Sequence, residues 1–382
     1  MPTCKSLTEK ASRAARAALV VATATVALAP APRAAIAQTC PAMDDPVCVP
    51  TATCDRYGND PARYDAAEVA VVPECVGGTR LGPVPDRDGT PRYACLYEPI
   101  SAPSGPLPLV VYLHPSIATA DSAWQVTNLV PFVQTANVSD DSSRRGFILL
   151  APEGRKTCHY YPEPDRRQTG WDNWYRNLNP CDPEENVDAA TIDHFVDEQI
   201  ARGVVDENRI FATGWSNGAA MAYLWGLMRP SVAAIAVFSA PNPFRAMDDP
   251  CPQVPVAKGT STVERVRILN AGVPTMHVHN DCDIIGLCPN GELLARQLLP
   301  LGIGVQDAII DSALLPANGC QDACGTDPDA SADPCSNPGG TTVGVGNHVR
   351  WPLTWTASLV DFFRAHPLGA RAKQRPARMC TR

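Results

Sequence analysis

Asp206 to Trp225 read D-E-N-R-I-F-A-T-G-W-S-N-G-A-A-M-A-Y-L-W, and this stretch decides the fold. Arg209 to Thr213 form a short β-prone run suited to a buried strand. Gly214-Trp215-Ser216-Asn217-Gly218 follows as a G-x-S-x-G pentapeptide. Ala219 to Met228 are then nearly all good helix formers, with no proline before Pro230. Strand, tight turn and helix around that pentapeptide make a nucleophile elbow, whereas the pentapeptide alone is only a Gly-Ser turn. The elbow forces its serine into a strained backbone conformation, and flanking residues without a Cβ let strand and helix pass close by. Ser216 Oγ is therefore expected at the carboxyl edge of a sheet, with the N–H of Asn217 aimed at the group it attacks.

A nucleophilic serine needs a base and a residue that orients the base, and elbow proteins supply them in the order serine, acid, histidine. Val273 to Val278 alternate in the manner of a strand, which places Asp283 in the loop beyond its carboxyl end. Gly344 to Pro352 is a glycine-rich loop carrying His348, and Thr356 to His366 reads as a helix with Leu359, Val360, Phe362 and Phe363 on its apolar face. Singly, Asp283 is a turn former and His348 a surface histidine. Together with Ser216 they appear in the expected order, each after a plausible strand.

The motifs D-x-x-R-I-F-x-T-G-x-S-N-G-x-x-M, H-x-x-x-D and N-H-x-x-W-P resemble those of the secreted polyhydroxybutyrate depolymerase and feruloyl esterase family of α/β-hydrolases, over roughly Leu107 to His366. The resemblance implies a mostly parallel central sheet with helices on both faces and a carboxylic-ester hydrolase using Ser216, Asp283 and His348. It also puts the second oxyanion donor at Ser116. The family's His-Gly pair reads His114-Pro115 here, and its glycine pair after the elbow serine reads Gly218-Ala219. Pro115 has no N–H to donate, so the donor role falls on Ser116, one position on.

Before the catalytic region lies an export signal. Lys5, Lys10, Arg13 and Arg16 precede an apolar run from Ala17 to Ala29, and Ala35-Ile36-Ala37 is a small-x-small cleavage site. The run is too short to span a bilayer, so no membrane partner is expected. Residues 1–37 are thus a signal peptide and 38–66 a Cys-rich extension. Residues 67–367 form the catalytic domain and 368–382 a basic tail. Removing Cys4 with the signal from the 15 cysteines leaves 14, an even number for an oxidising compartment. Disulfides are expected, with Cys75–Cys95 and Cys158–Cys181 the pairs that locality favours. A formal charge of −8 without a basic stripe outside the tail argues against nucleic acid. No cofactor motif occurs. A secreted monomer acting on an extracellular ester or polyester is the expectation.

Within the strand set, Glu68–Val72 and Arg92–Tyr97 read as an antiparallel edge pair, Leu107–Leu113 and Phe147–Pro152 as central strands, and Val232–Ser239 as another. Val187–Arg202 reads as an amphipathic helix. Residues 153–186 concentrate aromatics in a chain with only 6% of them. Trp171 and Trp174, joined by Trp215 and Trp351, then either wall a substrate cleft or cover the core beneath a long loop.

Two other chemistries remain open at this point. His277-x-His279-x-Asp281-Cys282 resembles the H-x-H-x-D zinc motif of the metallo-β-lactamase fold, although the chain has only 7 histidines and no second cluster follows. A serine peptidase could use the same triad. Within the esterase reading, polyhydroxyalkanoate, feruloyl, acetyl-xylan and synthetic polyester substrates are not separable.

Overall fold

The computed structural model describes residues 70–87, 89–100, 105–156, 169–171, 186–241, 268–270, 272–280, 298–299, 303–310 and 348–369. The expected signal peptide, the N-terminal extension as far as residue 69 and most of the basic tail lie outside the described residues. So do Cys158, Cys181, Trp174, Asp281 and Asp283.

Eight strands form the main sheet in the order β1-β2-β4-β3-β7-β8-β9-β10. They are β1 (Thr79–Pro85), β2 (Pro91–Tyr97), β3 (Leu107–Leu113), β4 (Ile148–Pro152), β7 (Val205–Trp215), β8 (Val232–Phe238), β9 (Thr275–Asn280) and β10 (Val305–Ile310). A two-residue hairpin, β5 (Arg155–Lys156) with β6 (Thr169–Gly170), stands apart from it. β1 pairs antiparallel with β2, and β2 with β4; from β4 to β10 every pairing is parallel. The helices among the described residues are α1 (Ser122–Gln125), α2 (Leu129–Phe132), α3 (Val187–Ala201), α4 (Asn217–Met228) and α5 (Trp355–Ala365).

The strands β3 and β8, L-P-L-V-V-Y-L and V-A-A-I-A-V-F, are buried at every position. Parallel strands need this, because crossover helices cover both faces of the sheet. The side-chain period of two sorts each strand between two cores. Leu109, Val111, Leu113, Ala212, Ile235 and Val237 pack with Ile192 and Phe195 of α3 and with Met221 and Leu224 of α4. Val110, Tyr112, Phe211, Ala236 and Phe238 pack on the opposite face with Leu359, Phe362 and Phe363 of α5. This is a three-layer α/β-hydrolase fold. α3 starts on a true cap, since Asn186 accepts from the N–H groups of Asp188 (3.1 Å) and Ala189 (2.8 Å).

One strand expectation needs correction, and one strand was not foreseen. The partner of β2 is Thr79–Pro85, not Glu68–Val72; residues 70–75 carry no regular structure. Valine-rich sequence favours a strand, but the Cys75–Cys95 disulfide and an Asp121 carboxylate accepting from the N–H groups of Glu74 and Cys75 (2.8 and 2.7 Å) hold this segment another way. The second miss is β10, whose V-Q-D-A-I-I is polar at two of its first three positions. Its strand state comes from its parallel register on β9, Val305 opposite Thr275 through Ile310 opposite Asn280.

Candidate active site

β7 runs straight into α4 with one residue between them, Ser216. Its φ of 56° and ψ of −123° lie where an L-residue is strained. Close approach explains why the neighbours are glycines. A Cβ on Gly218 would sit 2.3 Å from the carbonyl oxygens of both Leu113 and His114, and one on Gly214 would sit 2.5 Å from the carbonyl oxygen of Gly218. Gly218→Ala is expected to cost about 1–3 kcal/mol by overpacking, because the opposing atoms are backbone and cannot rotate away. It should also lower kcat, since the shift separates the elbow from the loop after β3. Thermal unfolding and single-turnover assays read the two effects.

Ser216 Oγ lies 2.8 Å from His348 Nε2, and the ring is 7% exposed. On its other side, Nδ1 lies 2.6 Å from Ser239 Oγ. The histidine arrives on the short segment before α5, which is anchored from below. Trp215 Nε1–H donates to the carbonyl of His348 (3.0 Å). Trp351 sits 4.9 Å from Trp355, 5.4 Å from Phe238 and 6.0 Å from Trp215 between ring centroids. This aromatic cluster locates the base by packing, and the spacing of Trp351 three residues after His348 is what lets it do so.

Beside Ser216, the start of α4 and the turn after β3 are two segments that a third joins. Asn217 opens α4, so its N–H belongs to the first turn, where helix donors have no intrahelical acceptor and the dipole is positive. Ser116 is half-buried in the turn after β3, closed by Ala118 N–H on the carbonyl of Pro115 at 3.3 Å. Trp171 bridges them. Its Nε1–H donates to the carbonyl of His114 (2.8 Å), and its backbone N–H donates to Oδ1 of Asn217 (2.8 Å).

Behind this loop lies a buried polar lattice. Glu153 accepts from the N–H of Ala120 (2.6 Å), and the N–H of Gly154 donates to His114 Nε2 (2.9 Å). Arg92 ties the carbonyl of Glu153 to Asp188 and Asp86. Burial alone would lower the pKa of Arg92, but the two carboxylates more than offset it and hold the guanidinium charged.

Of the two readings of the aromatic residues, cleft wall or cover of the core, the burial of the three described tryptophans agrees with the second. Trp171, Trp215 and Trp351 are 1%, 6% and 3% exposed. Each packs as scaffold, because a polar handle on two of the rings and a cluster of neighbours around the third hold them inward. Asp283 and Trp174 lie outside the described residues. His277 and His279 are buried on β9, their rings 5.6 Å apart, and His277 Nε2 accepts from the N–H of Ala240 (3.1 Å). Among the described residues the one grouping of metal-ligating types is Cys75, Cys95 and Asp121, whose cysteines are joined as the expected disulfide. Sequence reasoning missed Ser239 and Glu153. The signal for Ser239 was its place at the carboxyl end of the strand beside β7.

Residues 92–313, more than half of the chain, match the esterase PHB depolymerase family. The chain belongs to that family. It is a carboxylic ester hydrolase. No curated protein matches this esterase significantly. Solved structures similar to it include a thermostable esterase, 19% identical with a TM-score of 0.39, covering 71% of this chain. The esterase spans 62% of the length of that protein. A ferulic acid esterase is 15% identical with a TM-score of 0.41, over 62% of this chain and 90% of that one. A bacterial heroin esterase is 16% identical with a TM-score of 0.44, over 77% and 86%.

Proposed function

We propose that this esterase is an exported serine hydrolase that works through an acyl-enzyme on an apolar polyester of hydroxy acids. The observation that carries the reading is the 2.8 Å contact between the Oγ of the strained Ser216 and His348 Nε2. A serine hydroxyl is a poor nucleophile at neutral pH, so His348 takes its proton as Oγ bonds to the ester carbonyl carbon. The tetrahedral oxyanion is met by the N–H groups of Asn217 and Ser116. Removing one such donor costs about 3–4 kcal/mol in comparable sites. His348 then returns the proton to the leaving alkoxide as the carbon–oxygen bond breaks. Water repeats the cycle on the acyl-enzyme, releasing the acid and restoring Ser216. Asp283, which lies between Ser216 and His348 in the sequence, is the acid assigned to stabilise the imidazolium.

Two features support this substrate class, the rim and the family. Ile117, one residue from Ser116, is 73% exposed, and Val349, beside His348, is 57% exposed. Exposed apolar residues at both catalytic loops suit a poorly hydrated acyl chain better than a polar sugar. Export rests on the basic and apolar leader with its Ala35-Ile36-Ala37 site. Among the described residues no helix is long and apolar enough to cross a membrane.

A substrate panel tests the proposal. Para-nitrophenyl esters of increasing chain length, methyl ferulate and a polyhydroxybutyrate film are assayed with and without a serine-reactive phosphonate. The expected result is release of soluble acid from the film, with all activity lost on stoichiometric labelling of the Ser216 peptide. Activity that survives the phosphonate but not a chelator transfers the chemistry to the His277 and His279 region. Turnover of methyl ferulate without the film reassigns the substrate to aryl esters.

A further inference from the structure

β7 and β8 are adjacent and parallel, with Gly214 opposite Val237 and Trp215 opposite Phe238. Each ends in a serine, Ser216 and Ser239, and both serines have a φ of 56°. The ends are linked in steps, since Ser216 N–H donates to the carbonyl of Phe238 (3.0 Å) and Ser239 N–H to that of Val278 on β9 (2.7 Å). Left-handed backbone is uncommon for a residue with a Cβ, and two instances on neighbouring strand ends aim two hydroxyls at one place. That place is the His348 ring. Ser216 Oγ lies 2.8 Å from Nε2, and Ser239 Oγ lies 2.6 Å from Nδ1. Ser239 is fully buried.

We propose that Ser239 is a positioning residue that accepts the Nδ1–H of His348 and, alongside the acid assigned at Asp283, sets the tautomer and plane of the catalytic base. The inference rests on the serine–histidine reading above. To remove the proton from Ser216, Nε2 must present its lone pair, which requires the other ring proton to reside on Nδ1. A hydroxyl oxygen at 2.6 Å is placed to accept that proton. When Nε2 is protonated during attack, the Nδ1–H···Oγ bond becomes charge-assisted and strengthens as the transition state forms. Trp215 holds the backbone of His348, but only a partner on Nδ1 also fixes the rotation of the ring. Ser239 therefore acts on the reaction through His348 and does not touch the ester.

The test uses the mature enzyme with Ser239→Ala and Ser239→Gly, assayed on a small soluble ester, with Ser216→Ala measured alongside. Glycine adopts a positive φ without cost, so the pair separates loss of the hydroxyl from relief of backbone strain. Both variants are expected to lower kcat by about 10- to 100-fold, the size of one hydrogen bond to a group that becomes charged. KM should stay within about twofold, because the lost interaction belongs to the transition state. The downfield proton resonance of the His348 Nδ1–H should move upfield in both variants while melting temperature stays close to that of the parent. Parental kcat in both variants overturns the proposal, and so does a fall in kcat that tracks melting temperature with the resonance unmoved. An inactive Ser216→Ala beside fully active Ser239 variants overturns this inference alone; an active Ser216→Ala overturns the serine mechanism beneath it.

Discussion

Ser216→Ala is expected to lower kcat by about 10⁶-fold, and His348→Ala by a similar factor, because nucleophile and base act as one unit. The two losses should not add in the double variant. Removing the hydroxyl takes away the atom that bonds to the carbonyl. Removing the imidazole leaves that hydroxyl protonated at neutral pH. Either way only substrate binding and the oxyanion donors remain, which leave a residual rate above that of water. Ester binding should survive, so KM or an inhibitor constant stays near the parental value while kcat collapses. Asp283→Asn should cost less than either. Pre-steady-state release of para-nitrophenol supplies the check, since the parent gives a burst equal to the enzyme concentration and Ser216→Ala gives none. A full burst from Ser216→Ala would place the nucleophile elsewhere.

The second large effect is expected at Trp171. Its ring is 1% exposed, tilts against His114 at 4.9 Å and donates Nε1–H to the carbonyl of His114. Trp171→Ala empties a fully packed site and should destabilise the fold by about 3–5 kcal/mol. It also removes the ring's bond to the loop carrying Ser116 and leaves only the backbone N–H bond to Asn217 on the elbow. Turnover of small acetyl esters and of polymer should therefore fall together, where a cleft wall would affect only substrates long enough to reach it. Trp171→Phe keeps most of the ring but leaves the His114 carbonyl without its donor, a loss of about 1–3 kcal/mol for a buried group. Melting temperature measured with kcat/KM on one short and one polymeric ester decides the matter. Selective loss on the polymer with an unchanged melting temperature would restore the cleft.

Much of the fold was legible because its periodicities are local. Leu107–Leu113 and Val232–Phe238 are apolar at every position and short, the signature of strands covered on both faces. The alanine-rich run after Gly218 is helix-forming by propensity alone. Ser216 stood out because the strand-turn-helix pattern around it leaves few alternatives. The edge of the sheet was not legible in the same way. Val69 to Val72 have the right residue types for a strand, yet β2 pairs with Thr79–Pro85, a stretch holding two prolines and a glycine. Edge pairing is settled by what the central strands leave open and by where Cys75 is tied, and neither is encoded in a short window.

The sequence by itself determined the serine elbow, the histidine segment and their order along the chain, since each is written in a contiguous motif whose backbone needs are local: glycines where Leu113, His114 and the helix crowd the elbow, and apolar runs where the sheet is covered. Only the tertiary structure decided what surrounds the imidazole. It placed Trp171, Trp215 and Trp351 in the interior, and it brought Ser239 to the far nitrogen of a histidine 109 residues away. Aromatic composition cannot tell a ring that faces substrate from one that locks a loop, because the same apolar face and N–H serve both uses. A serine that ends one strand has no relation to a histidine on a distant loop until parallel register sets their strands side by side.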